Sequence, residues 1–128
     1  MSNPSLSHVE PLKVDGVEFV PKGQAVKIRG KMTSRQPEAS ISPYLRRVHD
    51  EVCKLKLKEL DVDVTELTFV NSSAIRLFVD WTMWAKGSTD EPLYEIVFHA
   101  KEGITWQRMT LSALTSLAPK VVRVKSVP

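Results

Sequence analysis

The chain is poor in cysteine: Cys53 stands alone among 128 residues. That excludes a disulfide framework and a cysteine-built zinc cage. Small secreted domains carry several paired cysteines, so the solitary thiol points to a reducing compartment and a cytoplasmic location. Long apolar runs are missing as well. None approaches the roughly 20 residues that a membrane span needs, and the opening residues 1–16 lack the basic head and apolar stretch of a signal peptide. Charge of one sign is scarce: 18 basic against 15 acidic residues leave a net charge of +3, too mild to indicate a nucleic-acid partner. There is no glycine-rich phosphate loop and no G-x-S-x-G elbow. His8, His49 and His99 lie far apart, and none shares with a Glu the helical spacing of a zinc site. No metal, no cofactor and no enzymatic activity is expected. What is present, 42% hydrophobic and 26% charged residues, suits one domain with its own core, since a chain of this size buries roughly 65–70% of its unfolded surface.

Residues 1–15 are polar, contain Pro and Ser and show no period, so a flexible lead-in is expected there, with the domain over 16–128. Val17–Val20 alternates as a strand does, Pro21-Lys22-Gly23 signals a turn, and Ala25–Gly30 alternates again, which together read as a hairpin. Lys31–Ser40 reads as a loop. Ser42-Pro43 reads as a helix start, with Ser as cap and Pro at the first position. Leu45, Val48, Val52 and Leu55 follow at spacings of three and four, and Cys53 beside them reads as a small core residue. A strand is expected at about 60–64, then a turn at Thr65-Glu66 and an apolar exit over Leu67–Val70. At Asn71 the period changes from two to 3.6. Ala74, Ile75, Phe78, Trp81 and Ala85 outline a helix ending near Lys86, with Gly87 as C-cap. Leu93–Phe98 reads as a strand, Trp106, Met109, Ala113, Leu114 and Leu117 as the face of a helix stopped by Pro119, and Val121–Val124 as a last strand. The order β-β-α-β-α-β-α-β implies an α/β fold: a mostly parallel mixed sheet with right-handed crossovers, an N-terminal antiparallel hairpin, and helices packed on it.

In open α/β sheets, functional residues gather where strands end and helices begin. The junction over 69–76 sets Asn71-Ser72-Ser73 between an apolar strand exit and an apolar helix, and two readings stay open. One is an N-cap, worth typically about 1 kcal/mol. The other is a phosphoacceptor: a phosphate on Ser72 would meet the positive end of the helix dipole and free backbone N–H groups. It would add roughly −1.5 to −2 charges without unfolding the helix. Arg76, one turn on, is either solvated or placed to pair with a phosphate or an acidic partner. The same helix carries Leu77, Phe78, Trp81, Met83 and Trp84, more apolar surface than one core-facing stripe holds. Trp81 reads as core, and Trp84 as either core or an interface anchor. The basic positions Arg46, Arg47 and Lys54 to Lys58 read as a solvated face.

The run LDVDVTELTFVNSSAIR at 60–76 resembles the signature of STAS domains, the anti-sigma-factor antagonist family. In that signature a strand ending in an aromatic and an aliphatic residue leads to a typical Asp-Ser-Ser-Gly-Leu at a helix start. The element order agrees over about 16–124, including Gly30 and a first helix near Pro43-Tyr44-Leu45. The resemblance implies a STAS-like sandwich and a bacterial signalling protein rather than an enzyme. It implies that the hydroxyl after the Asp position, here Ser72 with Ser73 as second choice, is phosphorylated by a serine/threonine kinase of anti-sigma type and dephosphorylated by a PP2C-type phosphatase. The implied partner surface includes Asn71, Ser72, Ser73, Arg76 and Trp84. Asn71 stands where the family has Asp, and Ala74 where it has Gly. An Asn followed by a phosphorylatable Thr occurs in the related SiaC-type regulatory phosphoproteins, whose phosphorylation governs binding to a diguanylate cyclase. Two other readings remain open: a constitutive STAS-like binding module without a phosphorylation cycle, and a small-ligand-binding or catalytic α/β domain using a pocket near His99 and Ser72.

Overall fold

The structure, a computed structural model, describes residues 4–128. Asp15 and Gly16 both take positive φ, 47° and 88°, and join β1 (Leu12–Val14) to β2 (Val17–Lys22) with Val14 opposite Val17. A two-residue turn of this hand matches the right-handed twist of the strands it connects. A second hairpin brings β3 (Ala25–Met32) back antiparallel along β2. Helices then alternate with strands: α1 (Pro37–Ser40), α2 (Ser42–Lys54), β4 (Glu59–Val70), α3 (Ser72–Lys86), β5 (Glu95–Lys101), α4 (Thr105–Leu117) and β6 (Val122–Val127). Strands β3 to β6 pair in parallel, and the six strands lie in sequence order across one sheet. The α/β class, the N-terminal hairpin, the mostly parallel mixed sheet and the helices packed on it are those the sequence leads one to expect.

Every crossover steps in the same direction, and right-handed crossovers that step one way set their helices on one face of the sheet. The strands carry the imprint of this. Val17 and Phe19, Val26 and Ile28, Leu60, Val62 and Val64, and Ile96 and Phe98 are buried beneath α2, α3 and α4. Of the residues between them on the opposite face, Glu18, Lys27, Arg29, Asp61, Asp63 and His99 are partly or fully exposed, and Val97 on the inner strand β5 is buried. Ion pairs run across that face, Arg29 with Glu18 at 2.6 Å, Lys27 with Glu66, and Arg123 with Glu59 at 2.9 Å and Glu95 at 3.4 Å, and Nε2 of His99 lies in hydrogen-bond contact with Asp61 at 2.8 Å. Solvated pairs contribute little stability; their effect here is to keep an uncovered sheet face polar. Because the strand order never reverses, the sheet has no switch point, the crevice where doubly wound sheets bind cofactors.

Strand β4 is one element of 12 residues, where the sequence suggests a strand, a turn and an exit. Lys27 faces Asp63 but Arg29 faces Glu66, and Gly30 faces Leu67 but Lys31 faces Phe69. β4 therefore gains one residue on β3 at each of two bulges. Its buried positions shift accordingly, from 60, 62 and 64 to 67 and then 70. Asp63 holds the first bulge, one carboxylate oxygen accepting from the Thr65 N–H at 2.9 Å and from the Thr65 hydroxyl at 2.7 Å. Beyond Asp63 and His99 the pairing of β4 with β5 ends. Side chains of α4 take over there: the Trp106 indole N–H donates to the Leu67 carbonyl at 2.7 Å, and the Gln107 amide donates to the carbonyls of Val64 and Leu67.

Four local expectations need correction. From Pro4 onward the lead-in is packed: Leu6 is buried and its N–H donates to the Gly23 carbonyl, residues 12–14 form β1, and the Tyr44 hydroxyl donates to the Glu10 carbonyl at 2.7 Å. Residues 1–3 of that expected lead-in lie outside the described residues. The Lys31–Ser40 loop is shorter than expected, since Lys31 and Met32 extend β3 and Pro37–Ser40 form α1. Ser42 does not cap α2, because α1 runs into it through a helical Ile41 whose N–H already bonds the Pro37 carbonyl. Cys53 is exposed rather than core.

Candidate functional site

Strands β3 and β4 finish side by side, with Met32 opposite Val70 and the Asn71 N–H donating to the Met32 carbonyl at 3.1 Å. Asn71 is still extended (φ −79°, ψ 171°), and the helix begins at the next residue. Its side chain makes two bonds. The oxygen accepts from the Ala74 N–H at 2.8 Å, capping α3, and the amide donates to the Ser34 carbonyl at 2.9 Å, tying down the loop after β3. An aspartate could make the first bond but not the second, since its carboxylate would face a carbonyl oxygen with no proton between them. The geometry therefore suits Asn rather than Asp at this position. Ala74 is buried, so its methyl group is part of the core.

The cap belongs to Asn71, and Ser72 and Ser73 follow it as exposed residues in the first turn of a 15-residue helix. The two readings of this junction thus fall on different residues. The first turn of α3 contains no acidic residue, and Arg76 stands exposed one turn further on. The positive end of the helix, its free N–H groups and this guanidinium together favour an anion. Phe69, two residues before Asn71, is 47% exposed. Sequence reading placed it in an apolar exit toward the core; the second bulge turns it outward and buries Val70 instead.

Of the other residues picked out, Arg76 stays at this junction and Trp84 does not. Trp84 lies 12 residues beyond Ser72, about 18 Å along the helix axis. It is half-buried, packed against the His49 ring at 5.8 Å between centroids, with the Arg46 guanidinium 5.0 Å from its own ring centre. Trp81 is fully buried. His99 sits on the open sheet face with Asp61, and neither His99 nor Ser72 lines the two main hollows of the described surface, of about 740 and 590 Å³. Among the described residues, no group of three or more His, Cys, Asp or Glu side chains is gathered as a metal ion would require.

Sequence reading missed a buried polar cluster between α2 and α3. The Trp81 indole donates to the Tyr94 hydroxyl at 3.0 Å, which leaves that hydroxyl's proton for Nδ1 of His49 at 2.8 Å. His49 therefore carries its own proton on Nε2, which faces the Cys53 sulfur at 3.8 Å. The spacing of His49 and Cys53, four residues apart on a helix, was the available signal. Burial pushes the His49 pKa down, and Arg46 adds to this against a smaller opposing pull from Asp50. Burial also pushes the Cys53 thiol up, away from thiolate chemistry. A second proton on His49 would turn Nδ1 into a donor and leave the Tyr94 hydroxyl proton without its acceptor in the buried cluster. Below the ordinary histidine pKa of about 6.5, the unfolded chain takes up that proton and the folded chain does not. Stability is expected to be complete above that pH and to fall below it, by up to about 1.4 kcal/mol per pH unit. Urea midpoints measured from pH 7.5 to 5 should show this slope, and His49→Gln should flatten it. An unchanged slope in the variant would assign the dependence to other groups.

Compared with known proteins, the chain matches no family model and no curated protein.

Proposed function

We propose that this protein is a non-enzymatic, STAS-like regulator of the cytoplasm that binds a signalling partner through the Ser72 junction and is switched by reversible phosphorylation of Ser72. One observation carries the reading: Ser72 is exposed at a helix N-terminus whose cap is supplied by Asn71. The serine is then free of structural duty and can gain a phosphate without cost to the fold. The phosphate would add roughly −1.5 to −2 charges at a point where the helix dipole and Arg76 stabilise it. A surface that is neutral to basic, with Phe69 beside it, would become acidic. A partner docked on the first state is repelled or desolvated by the second. The writer of the mark is proposed to be a serine/threonine kinase of anti-sigma type and its eraser a PP2C-type phosphatase. The regulated partner is proposed to be that kinase itself, an anti-sigma factor or a diguanylate cyclase. These partner classes rest on the resemblance at 60–76 together with the agreement of the fold.

The test is the intact mass of the protein isolated from its own host, beside Ser72→Ala and Ser73→Ala copies. One phosphate is expected, lost in Ser72→Ala and kept in Ser73→Ala. Ser72→Ala should unfold within about 0.5 kcal/mol of the parent, as for a surface change away from any cap. A phosphate that moves with Ser73 would shift the acceptor by one residue. No phosphate across several growth conditions would overturn the switch and leave a constitutive binding module.

A further inference from the structure

The two edges of the sheet are not alike. On one side β1 has three residues. On the other, β6 runs six residues against β5 with an unbroken register from Ile96–Val122 to Lys101–Val127 and no proline among them. Among the described residues nothing pairs with its outer side. The direction of its free groups can be read from the bonds already made. The Val121 carbonyl accepts from Ile96 at 2.7 Å and the Val127 carbonyl from Glu102 at 2.8 Å. In a parallel ladder a residue's N–H and C=O point to the same neighbour and alternate residues serve opposite sides. Odd-numbered residues therefore bond β5, and the N–H and C=O of Val124 and Ser126 point off the edge, unpaired backbone of the kind that templates another strand.

Beside this edge lies the larger hollow, about 740 Å³, between α4 and the helix-facing side of β6; Arg108, Leu111, Ser112, Thr115, Val124 and Ser126 line it. Among the described residues, four of the seven large exposed hydrophobic residues, Met109, Leu117, Val124 and Val127, belong to α4 or β6, and Val124 lines the hollow itself. On the open sheet face of β6 stand Arg123 and Lys125. Arg123 reaches back to Glu59 and Glu95, while Lys125 is exposed.

We infer that β6 is a docking edge for an extended polypeptide segment that alternates apolar and acidic side chains, added to the sheet as a seventh strand. Its free N–H and C=O groups would bond Val124 and Ser126. Its apolar side chains would enter the α4–β6 groove, and a carboxylate would lie on the open face beside Lys125, the β6 cation that no acidic side chain of the described residues pairs. Charge selects this occupant over a second copy of the chain. Antiparallel self-pairing that keeps like faces together sets Arg123 opposite Lys125 when centred on Val124, or Lys125 opposite itself when centred there. Like charges directly across a ladder are destabilising, whereas a strand bearing carboxylates at those positions is complementary.

The probe is a fluorescein-labelled ten-residue peptide alternating valine and glutamate, titrated by fluorescence anisotropy, with amide exchange of the protein followed by NMR. Saturable binding is expected, with slowed exchange at Val124 and Ser126, and a scrambled peptide of the same composition should not bind. Val124→Pro removes an outward N–H at an edge position that tolerates proline and should weaken binding at least about tenfold. Lys125→Glu should weaken the glutamate peptide and transfer the preference to a valine–lysine peptide, a reversal that misfolding cannot produce. Binding indifferent to both substitutions, no binding at millimolar peptide, or dimerisation through β6 without peptide in sedimentation would each overturn the proposal.

Discussion

Gly30→Ala is expected to destabilise the protein by about 4 kcal/mol, a large part of the 5–15 kcal/mol that holds a domain folded. Gly30 sits at φ +103°, and a Cβ there would stand 2.1 Å from the Gly16 carbonyl oxygen and 3.3 Å from the Val17 Cα. Both neighbours are backbone, so no rotamer change relieves the clash. The turn at Asp15-Gly16 would have to lift from β3, breaking the Lys31 N–H to Gly16 carbonyl bond at 3.0 Å and the pairing of Val17 with Gly30. Backbone strain at a positive φ costs about 1–3 kcal/mol and overpacking a further 1–3 kcal/mol. Gly23 separates the two contributions. It has φ +60° with open space around the missing Cβ, so Gly23→Ala should cost only about 1–2 kcal/mol of conformational strain. Urea unfolding of the two variants side by side checks this. Equal losses would mean that close approach of the β1–β2 turn is not what Gly30 serves.

Gln107→Leu should cost about 2–4 kcal/mol although it keeps the side-chain volume and adds apolar surface. Gln107 is only 2% exposed, and its amide closes the gap where β4 and β5 part. Its nitrogen donates to the carbonyls of Val64 and Leu67, and its oxygen accepts from the Lys101 N–H at 2.9 Å. Leucine restores none of these bonds. Trp106 would still serve Leu67, so the Val64 carbonyl and the Lys101 N–H are the groups left without partners. Each such buried group costs about 1–3 kcal/mol. The loss should be visible in urea unfolding, together with faster exchange of the Lys101 amide, a local signature that a general loss of packing would not single out. A change below about 1 kcal/mol would mean that water replaces the amide and that the gap is not sealed.

Both residues bear on how much of this fold can be read directly. The LDVDV run at 60–64 is informative, because strands of a parallel sheet covered on both sides are apolar throughout. Its alternation records a sheet with one wet face, which the Asp61–His99 hydrogen bond and the ion pairs of Lys27 and Arg123 then occupy. The same alternation fails at Thr65, and a broken period has the same appearance whether the chain turns or bulges. Only the register against β3 distinguishes them, with Lys27 opposite Asp63 but Arg29 opposite Glu66. The outward turn of Phe69 follows from that shift and could not be seen without it. Leu6 and Val9 were hidden for another reason: two apolar residues in a polar stretch make no period, yet the β2–β3 hairpin and α2 receive them.

The sequence alone determined the α/β class, the apolar faces of α2 and α3, the Gly87 cap and the junction at Asn71. Each of these is written in neighbours a few residues apart, the range over which period, propensity and capping act. On α4 the expected face of Trp106, Met109, Ala113, Leu114 and Leu117 is wrong, since Met109, Ala113 and Leu117 are exposed while Gln107, Thr110 and Leu111 turn inward. Tertiary structure decided which residue of Asn71-Ser72-Ser73 has the structural role and which is left exposed. It also packed Trp84 against His49 and Arg46, and put His49 and Gln107 in the interior. Those outcomes depend on polar partners distant in the chain: Asn71 meets Ser34 across 37 residues, Gln107 meets Val64 across 43, and His49 meets Tyr94 across 45. A buried polar group must find its partner wherever the fold brings one, and no local pattern encodes where that will be.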